Sequence, residues 1–184
     1  MDQIQIFHKP SEVPPLINQQ IVDFLRVQWP DGFQDKNRLR NWSSKEKNHP
    51  VIFTLIEENI LISHVAVVWK YIEHAGETYK VYALSGMFTY PQFRKQKYGM
   101  KLLQAAKEYM LSQDGDMIMV HSKLQGFYEK AGFEPMPHIV TLVGDPQKPE
   151  TSEEKVFMLC ITEKGKKGKA SFAEKPFYFG ESMW

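Results

Sequence analysis

Three basic residues stand where a strand-like segment gives way to a helical one. Arg94, Lys95 and Lys97 follow the apolar segment 78–90 and precede helically spaced apolar residues at about 98–111. The first N–H groups of an α-helix lack intrahelical acceptors, and the helix dipole is positive at that end. Cationic side chains there would add direct pairing to an anion such as a pyrophosphate. The pattern indicates a phosphate site or, alternatively, a solvated basic loop before an ordinary helix.

A second candidate for chemistry is Tyr128, in a short amphipathic segment that Gly132 would close as a C-cap. A phenol with a pKa of about 10 keeps its proton at neutral pH and can give it to a thiolate formed beside it. Taken alone, a tyrosine in such a helix is usually a packing residue. The spacing of this segment after a helix and a strand is what favours the acid role.

The spacing of the apolar residues changes along the chain and predicts the strands and helices that must position these residues. Alternation over 3–7 and β-branched runs at 51–56, 60–72 and 78–90 predict strands, the last three forming an antiparallel meander. Helical spacing after Pro14 and over 98–111 predicts two helices, and strands follow at 117–122, 138–143 and 155–161. The strand, crossover helix and strand from 78 to 122 give one parallel pair. The fold class is therefore α/β (α+β), with a mixed, mostly antiparallel sheet and flanking helices.

Other segments carry weaker signals. Gly86 interrupts the third meander strand and indicates a bulge or a close backbone approach. Residues 38–47 are polar and could form a second short helix. The lysine- and glycine-rich run 164–169 is typical of a mobile, solvated loop. The aromatic stretch Phe177–Phe179 is expected to form an anchored terminal strand, with Trp184 docked.

Bulk composition limits the function classes. The 184 residues suit one domain, 1–184, with an extension at about 163–184. A net charge of +1 argues against nucleic acid as a partner. No signal peptide or membrane-length apolar run is visible, and the single Cys160 allows no intrachain disulfide, as expected in the cytoplasm. No metal site is predicted, and a homodimer is left open.

The segment FRKQKYGMKLL resembles the acetyl-CoA loop of the GNAT superfamily of N-acetyltransferases, written Arg/Gln-x-x-Gly-x-Gly/Ala. Arg94 matches the first position and Gly99 the last, while Lys97 stands where the first glycine is expected. The resemblance implies the splayed GNAT fold, acetyl-CoA as acyl donor, and main-chain contacts from the preceding strand to its pantetheine arm. The cofactor-binding residues that it implies are Met87, Phe88, Thr89, Arg94, Lys95, Gln96, Lys97, Tyr98, Gly99 and Met100.

The segment GFYEKAGF is similar to the family's Leu/Phe-Tyr-x-x-x-Gly-Phe signature, which makes Tyr128 the acid that protonates the leaving thiolate. The wider match, including an end in tryptophan, looks similar to the aminoglycoside 2′-N-acetyltransferase branch. That branch implies acidic residues and a terminal carboxylate that bind a polycationic amine. Trp184 matches the terminal tryptophan of the branch, and Asp31 and Asp35 fall near its acidic substrate loop. Ser182, which is not an acid, takes the position of the branch's aspartate, and Glu181 is adjacent to it.

Ser85 is a departure from the branch, which has a glutamate before the bulge glycine to take the ammonium proton through water. Serine has no useful basicity near neutral pH. Candidates to replace it are Glu73, Glu57, His64, His121 and the terminal carboxylate, and the sequence does not choose among them. Solvent water could also serve for an amine of low pKa.

The function that these patterns favour is acetyl transfer to a primary amine of a small molecule, and the resemblance implies an aminoglycoside-like polyamine as the acceptor. The alternative is a weak or inactive GNAT-fold module that binds acyl-CoA or a cationic ligand. Acetylation of protein or peptide lysines is a third hypothesis.

Overall fold

The computed structural model describes residues 3–181, which form two compact units. The N-terminal unit holds the chain up to Val68 together with Leu84–Ala106, and the C-terminal unit holds Trp69–Ala83 and the chain from Lys107 onward. The elements are β1 (Gln3–Phe7), α1 (Pro15–Gln28), β2 (Val51–Glu57), β3 (Ile60–His74), β4 (Glu77–Thr89), α2 (Tyr98–Leu111), β5 (Met117–Ser122), α3 (Gln125–Lys130), β6 (Glu134–Met136), β7 (Thr141–Val143), β8 (Glu150–Thr151), β9 (Lys155–Cys160), α4 (Glu163–Glu174) and β10 (Phe177–Gly180).

In the N-terminal unit, the first strands form an antiparallel arrangement. β1 pairs antiparallel with β2, and β2 pairs antiparallel with β3. The β2–β3 turn has left-handed φ values at Glu58 and Asn59, as a two-residue hairpin that matches the strand twist requires. The buried face of α1 comprises Ile17, Ile21, Val22 and Leu25. Their helical spacing explains why this segment folds as a helix with one apolar side.

In the C-terminal unit, β4 pairs in parallel with β5, at Val81↔Met117 and Tyr82↔Ile118. β5 pairs antiparallel with β9, and β9 with β6. A second sheet has the order β10-β7-β8, in which β10 runs parallel to β7. The side chains of Phe172, Phe177 and Phe179 fill the apolar core between these elements.

The long strands β3 and β4 contribute residues to both units, and the hydrogen-bonded order of the main sheet is β1-β2-β3-β4-β5-β9-β6. One parallel pair in a mostly antiparallel sheet confirms the predicted fold class. The predicted helix at 98–111 and the strand at 117–122 are also confirmed with the same bounds. Within residues 3–181, no helix is both long and apolar enough to cross a bilayer.

The prediction of a mobile loop at 164–169 is wrong, because these residues lie in α4. The Thr162 hydroxyl caps the helix by accepting from the Gly165 N–H at 3.1 Å. A Cβ on Gly165 would lie 2.2 Å from the Asp116 carbonyl oxygen, and one on Gly168 would lie 2.4 Å from the Tyr79 hydroxyl. The two glycines, three positions apart, therefore form the contact face of a helix whose intervening lysines are exposed.

Two other predicted elements also differ from expectation. Residues 38–47 form no second helix: two 3-10 turns, Asp35–Asn37 and Glu46–Asn48, flank an irregular segment. The strand predicted over 138–143 is confined to Thr141–Val143. The expected terminal strand does form, as β10.

Candidate functional site

The basic segment before α2 has an unusual backbone. Lys95 and Lys97 have left-handed φ values of 66° and 65°, in a region that L-residues other than glycine seldom adopt. Lys97 thus takes a conformation that glycine adopts readily, at the position where the GNAT motif has its first glycine. Left-handed residues separated by one other residue can turn successive N–H groups into a concave anion-binding surface. The backbone of this segment fits an anion, although its sequence lacks the glycine.

The start of α2 adds donors to the same place. The Lys101 N–H donates to the Lys97 carbonyl oxygen at 3.0 Å, which closes the first turn of the helix. Tyr98, Gly99 and Met100 make up this first turn of a 14-residue helix, where N–H groups point away from the helix body. Around them, the side chains of Arg94, Lys95, Gln96 and Lys97 are exposed. These residues could hold a diphosphate, a polyanion that needs both donors and positive charge.

The end of β4 departs from regular strand geometry. Gly86 has a φ of +56°, and a Cβ there would lie 2.9 Å from Leu25 Cδ2. The His64 ring lies against this glycine, with Nδ1 2.8 Å from the Gly86 carbonyl oxygen. The Ser63 hydroxyl donates to the Phe88 carbonyl oxygen at 2.7 Å. The signal for irregularity at Gly86 was visible in the sequence, whereas the bonds from β3 were not.

Side chains also join this part of β4 to its neighbours in the N-terminal unit. The Phe88 ring stacks on that of Phe24 in α1, with ring centroids 4.1 Å apart. The Tyr90 hydroxyl donates to the Gln20 carbonyl oxygen at 2.8 Å, and the Arg94 Nε donates to the Thr89 carbonyl oxygen at 3.1 Å. The segment from Met87 to Arg94 is therefore tied to α1 and to its own preceding strand. Met87 and Thr89 themselves are half-buried.

Tyr128 lies in the C-terminal unit and is buried, with 5% of its surface exposed. Its ring stacks on Phe157 at 5.5 Å. Burial raises the pKa of Tyr128 to about 12; a hydrogen bond with Ser122 acts to lower it, and Glu154 acts to raise it. The phenol is therefore fully protonated at neutral pH.

Contacts at the C-terminal end of α3 hold this tyrosine in place. Gly132 has a φ of +86°, the left-handed conformation of a residue that ends a helix. The Phe133 N–H donates to the Tyr128 carbonyl oxygen at 3.1 Å, and the Lys107 ammonium donates to the Ala131 carbonyl oxygen at 2.6 Å. A cation at a helix C-terminus also interacts favourably with the dipole. Lys107 is 24 residues away from Ala131 in the chain, so local sequence patterns gave no signal for this contact.

The residues considered as proton acceptors lie in different environments. Ser85 is buried at 8% exposure, beside Gly86. Burial lowers the pKa of His64 to about 4, and burial together with the charge of Lys70 lowers the pKa of His121 to about 3. Both imidazoles are thus neutral at pH 7, and weak bases. Glu57 is exposed at the end of β2, and Glu73 is exposed on β3.

Two of the predicted substrate-binding acids lie in the segment between α1 and β2. Asp31 is exposed in the 3-10 turn Pro30–Phe33 and accepts from Gln34 Nε2 at 3.2 Å. Asp35 is exposed too, and it begins the next turn with a φ of 47°. Glu181 is exposed and follows β10 in the C-terminal unit. Trp184 lies outside the described residues.

Sequence reasoning missed Arg40, which organises the segment that carries Asp31. Its guanidinium lies 4.6 Å from the Phe33 ring centroid and 4.1 Å from that of Trp42. It also donates to the Trp42 carbonyl oxygen at 2.8 Å. Burial lowers the pKa of Arg40. Its partners lie on both sides of it in an irregular segment, so no periodicity marks it.

The profile of the Acetyltransferase (GNAT) family matches residues 17–133, nearly two thirds of the chain. The chain belongs to this family. The match includes the basic segment, the β4 segment and Tyr128, and it makes the chain an acetyltransferase whose acyl donor is acetyl-CoA. The fold, the enzyme class and the cofactor expected from the sequence are thereby confirmed.

Solved structures share the fold of this GNAT chain at low sequence identity. An aminoglycoside 6′-N-acetyltransferase complexed with coenzyme A is 14% identical, with a TM-score of 0.58, over 87% of this chain and 97% of that one. The aminoglycoside 6′-N-acetyltransferase of Enterococcus faecium is 14% identical, with a TM-score of 0.57 over the same shares. Escherichia coli ElaA is 13% identical, with a TM-score of 0.56, over 85% of this chain and 98% of that one. No curated protein matches the chain significantly by sequence.

Proposed function

We propose that this GNAT chain transfers the acetyl group of acetyl-CoA directly to a primary amine of a small molecule. The observation that carries the proposal is the left-handed, lysine-rich segment that leads into α2. A lysine in a glycine-like conformation leaves the backbone donors of the motif in place and adds a positive side chain. In this proposal the residues from Arg94 to Met100 hold the diphosphate.

The main chain of Met87, Phe88 and Thr89 holds the pantetheine arm in this proposal. The carbonyls of Phe88 and Thr89 already accept bonds from Ser63 and Arg94, which fixes the direction of the backbone. Backbone N–H groups held in place in this way can stabilise the negative charge that develops on the thioester oxygen during attack. Fixing the amine and the acetyl group in attack geometry lowers the barrier further.

Tyr128 acts as the acid in the proposed reaction. The neutral amine nitrogen bonds to the acetyl carbonyl carbon, and the carbon–sulfur bond breaks. The phenol proton passes to the thiolate, and the proton that the nitrogen loses on becoming an amide leaves through water and restores the phenol. A thiol with an ordinary pKa of about 8.5 would accept this proton poorly from a phenol with a pKa of about 12. Burial raises the pKa of a thiol for the same reason as that of a phenol. The transfer therefore needs the sulfur to be shielded from water when the bond breaks.

The proposed acceptor is a polycationic, aminoglycoside-like amine, recognised by Asp31, Asp35, Glu181 and Trp184. The first two support this role by being exposed carboxylates on a segment held by Arg40. Two of the structures with the same fold are aminoglycoside 6′-N-acetyltransferases, and the sequence resembles the 2′ branch. Ser85 takes the place of that branch's glutamate, so in this proposal the ammonium proton leaves to water near Ser85.

The test is thiol release from acetyl-CoA with a panel of aminoglycosides, linear polyamines, amino acids and peptides. We expect turnover with at least one small-molecule amine and a loss of about 100-fold or more in kcat for Tyr128→Phe, with coenzyme affinity unchanged. Tyr79→Phe is the matched control, because Tyr79 is equally buried at 4% exposure in the same unit. Full activity of Tyr128→Phe would contradict the acid role.

The second candidate function, a binding module without turnover, is favoured by one observation: Ser85 in place of an acid. It predicts tight coenzyme binding with no thiol release for any amine. Thiol release by the wild type therefore separates the two functions. Ser85→Glu tests descent: a large gain in aminoglycoside turnover would support descent from the aminoglycoside-modifying branch, whereas no gain would argue against it.

A further inference from the structure

Two consecutive residues of β3 hold the irregular end of β4 through their side chains. In a regular antiparallel pair, strand carbonyls accept bonds from the backbone N–H groups of the neighbour. Here, the Gly86 carbonyl oxygen lies 2.8 Å from the His64 ring, and the Phe88 carbonyl oxygen accepts from the Ser63 hydroxyl at 2.7 Å. Successive side chains of a strand point to opposite faces of the sheet. Ser63 and His64 therefore hold β4 from its two faces.

The bond to Gly86 fixes the protonation of the imidazole. A carbonyl oxygen can only accept, so the His64 Nδ1 must carry the proton that it donates. The ring is fully buried, with 0% of the residue exposed, and its Nε2 has no hydrogen-bond partner among residues 3–181. His64 is thus a neutral donor in its Nδ1–H form. It was one of the residues that the sequence left open as a base for the substrate amine.

The bonds to the Gly86 and Phe88 carbonyls matter because the main chain at Met87 lies between them. Gly86 has a left-handed φ of +56°, and the carbonyls of Gly86 and Phe88, two residues apart, both bond side chains of β3. Holding both carbonyls sets the orientation of the peptide groups from Gly86 to Thr89. The Ser63 hydroxyl also lies 3.0 Å from that of Thr89, which adds a third point of attachment.

We propose that His64 and Ser63 are positioning residues for acetyl transfer: they orient the β4 main chain at Met87–Thr89 towards the pantetheine arm and the thioester, and His64 does so as a hydrogen-bond donor rather than as a base. This inference rests on the proposed function. It explains why a histidine is buried on a strand face where its neighbours Ile62 and Ala66 are apolar.

The test compares His64→Phe, which removes the donor, with His64→Asn, whose side-chain amide keeps an N–H near the position of Nδ1. We expect His64→Phe to lower kcat about tenfold or more, with KM for acetyl-CoA and for the amine changed less than about threefold. His64→Asn should recover most of the loss. Thr54→Val is the control: it removes a fully buried hydroxyl, on β2, that is the cross-strand neighbour of His64.

Two outcomes would overturn the proposal. Equal loss in His64→Asn and His64→Phe, with both variants folded, would point to the ring itself as the functional group. Wild-type kcat in His64→Phe would show that the bond has no role. Ser63→Ala should lower kcat in the same direction, and Ser63→Thr, which keeps the hydroxyl, should restore it.

A spectroscopic measurement keeps the inference testable if the variants fail to fold or if no amine substrate is found. The ¹⁵N chemical shifts of the wild-type His64 ring should show a protonated Nδ1 and an unprotonated Nε2 from pH 7.5 down to 5.5, with or without coenzyme A. A protonated Nε2 would refute the assigned bond. Thiol release by the wild type tests the proposed function separately, so the two can fail independently.

Discussion

Lowering the pH from 7.5 to 5 is expected to reduce the free energy of unfolding, and buried His64 supplies a calculable part of this loss. Its pKa is about 4 in the folded protein and about 6.5 as an ordinary histidine. Between these values the unfolded chain binds a proton that the folded chain does not bind. The free energy of unfolding that His64 contributes is therefore complete above pH 6.5 and falls as the pH drops towards 4.

The size of the effect follows from the shift. One pKa unit corresponds to about 1.36 kcal/mol, so a shift from 6.5 to about 4 gives about 3 kcal/mol in total. Linkage places about 2 kcal/mol of it between pH 7.5 and 5. His121, whose pKa is lowered to about 3, acts in the same direction. The loss due to one histidine must therefore be isolated with a variant.

Urea unfolding at pH 7.5 and 5.0, followed by the fluorescence of the four tryptophans, measures the loss. His64→Asn removes the titrating ring and keeps an N–H donor. Between pH 7.5 and 5.0, the free energy of unfolding of this variant should therefore fall by about 2 kcal/mol less than that of the wild type. His8→Asn, at an exposed position, is the control. The same pH dependence in His64→Asn and the wild type would refute the assignment of a buried neutral imidazole.

Three further substitutions test the backbone and charge arguments. Lys97→Glu should weaken coenzyme A binding more at 20 mM than at 500 mM salt, because salt screens charges; unchanged affinity by calorimetry at low salt would contradict the diphosphate role. In thermal unfolding, Gly86→Ala should lower the free energy of unfolding by about 1–3 kcal/mol more than Gly76→Ala. Both glycines have a positive φ, but only a methyl group on residue 86 would meet a neighbouring side chain. An equal cost would contradict the close approach. Gly165→Ala should destabilise by about 2 kcal/mol or more, whereas Gly126→Ala, with nothing within 4 Å, should change little; equal effects would refute the close packing of α4.

The sequence predicted well those elements whose period is set by burial on one face. Helix α2 matched because its apolar residues recur at helical spacing, and β5 matched as a short apolar run after a turn. The irregularity at Gly86 could also be predicted, since a glycine in the interior of a strand often marks a bulge or a close backbone approach.

Helix α4 was missed because its local composition is typical of a loop, whereas the tertiary contacts of its glycines favour a helix. Glycines and lysines between Glu163 and Lys169 are typical of a loop, and helix propensity disfavours glycine. The helix forms because Gly165 and Gly168 allow its backbone to approach Asp116 and Tyr79, which are far away in the chain. Propensity alone does not contain such tertiary contacts.

The same limit applies to the candidate site. Arg94, Lys97 and Tyr128 could be proposed from local motifs, whereas the bonds from Ser63 and His64 join residues 22 to 26 positions apart. The left-handed φ of Lys97 was likewise not visible in its side-chain type. Sequence thus suggested candidate groups for the chemistry, and the structure added the bonds that hold the end of β4.

The binding of coenzyme A to the start of α2 can be tested most directly by amide hydrogen exchange with and without coenzyme A. The account predicts slower exchange for the amides of residues 95–100, whose N–H groups would donate to the diphosphate, and little change in α4. Unchanged exchange at 95–100 under saturating coenzyme A, with protection elsewhere, would contradict it.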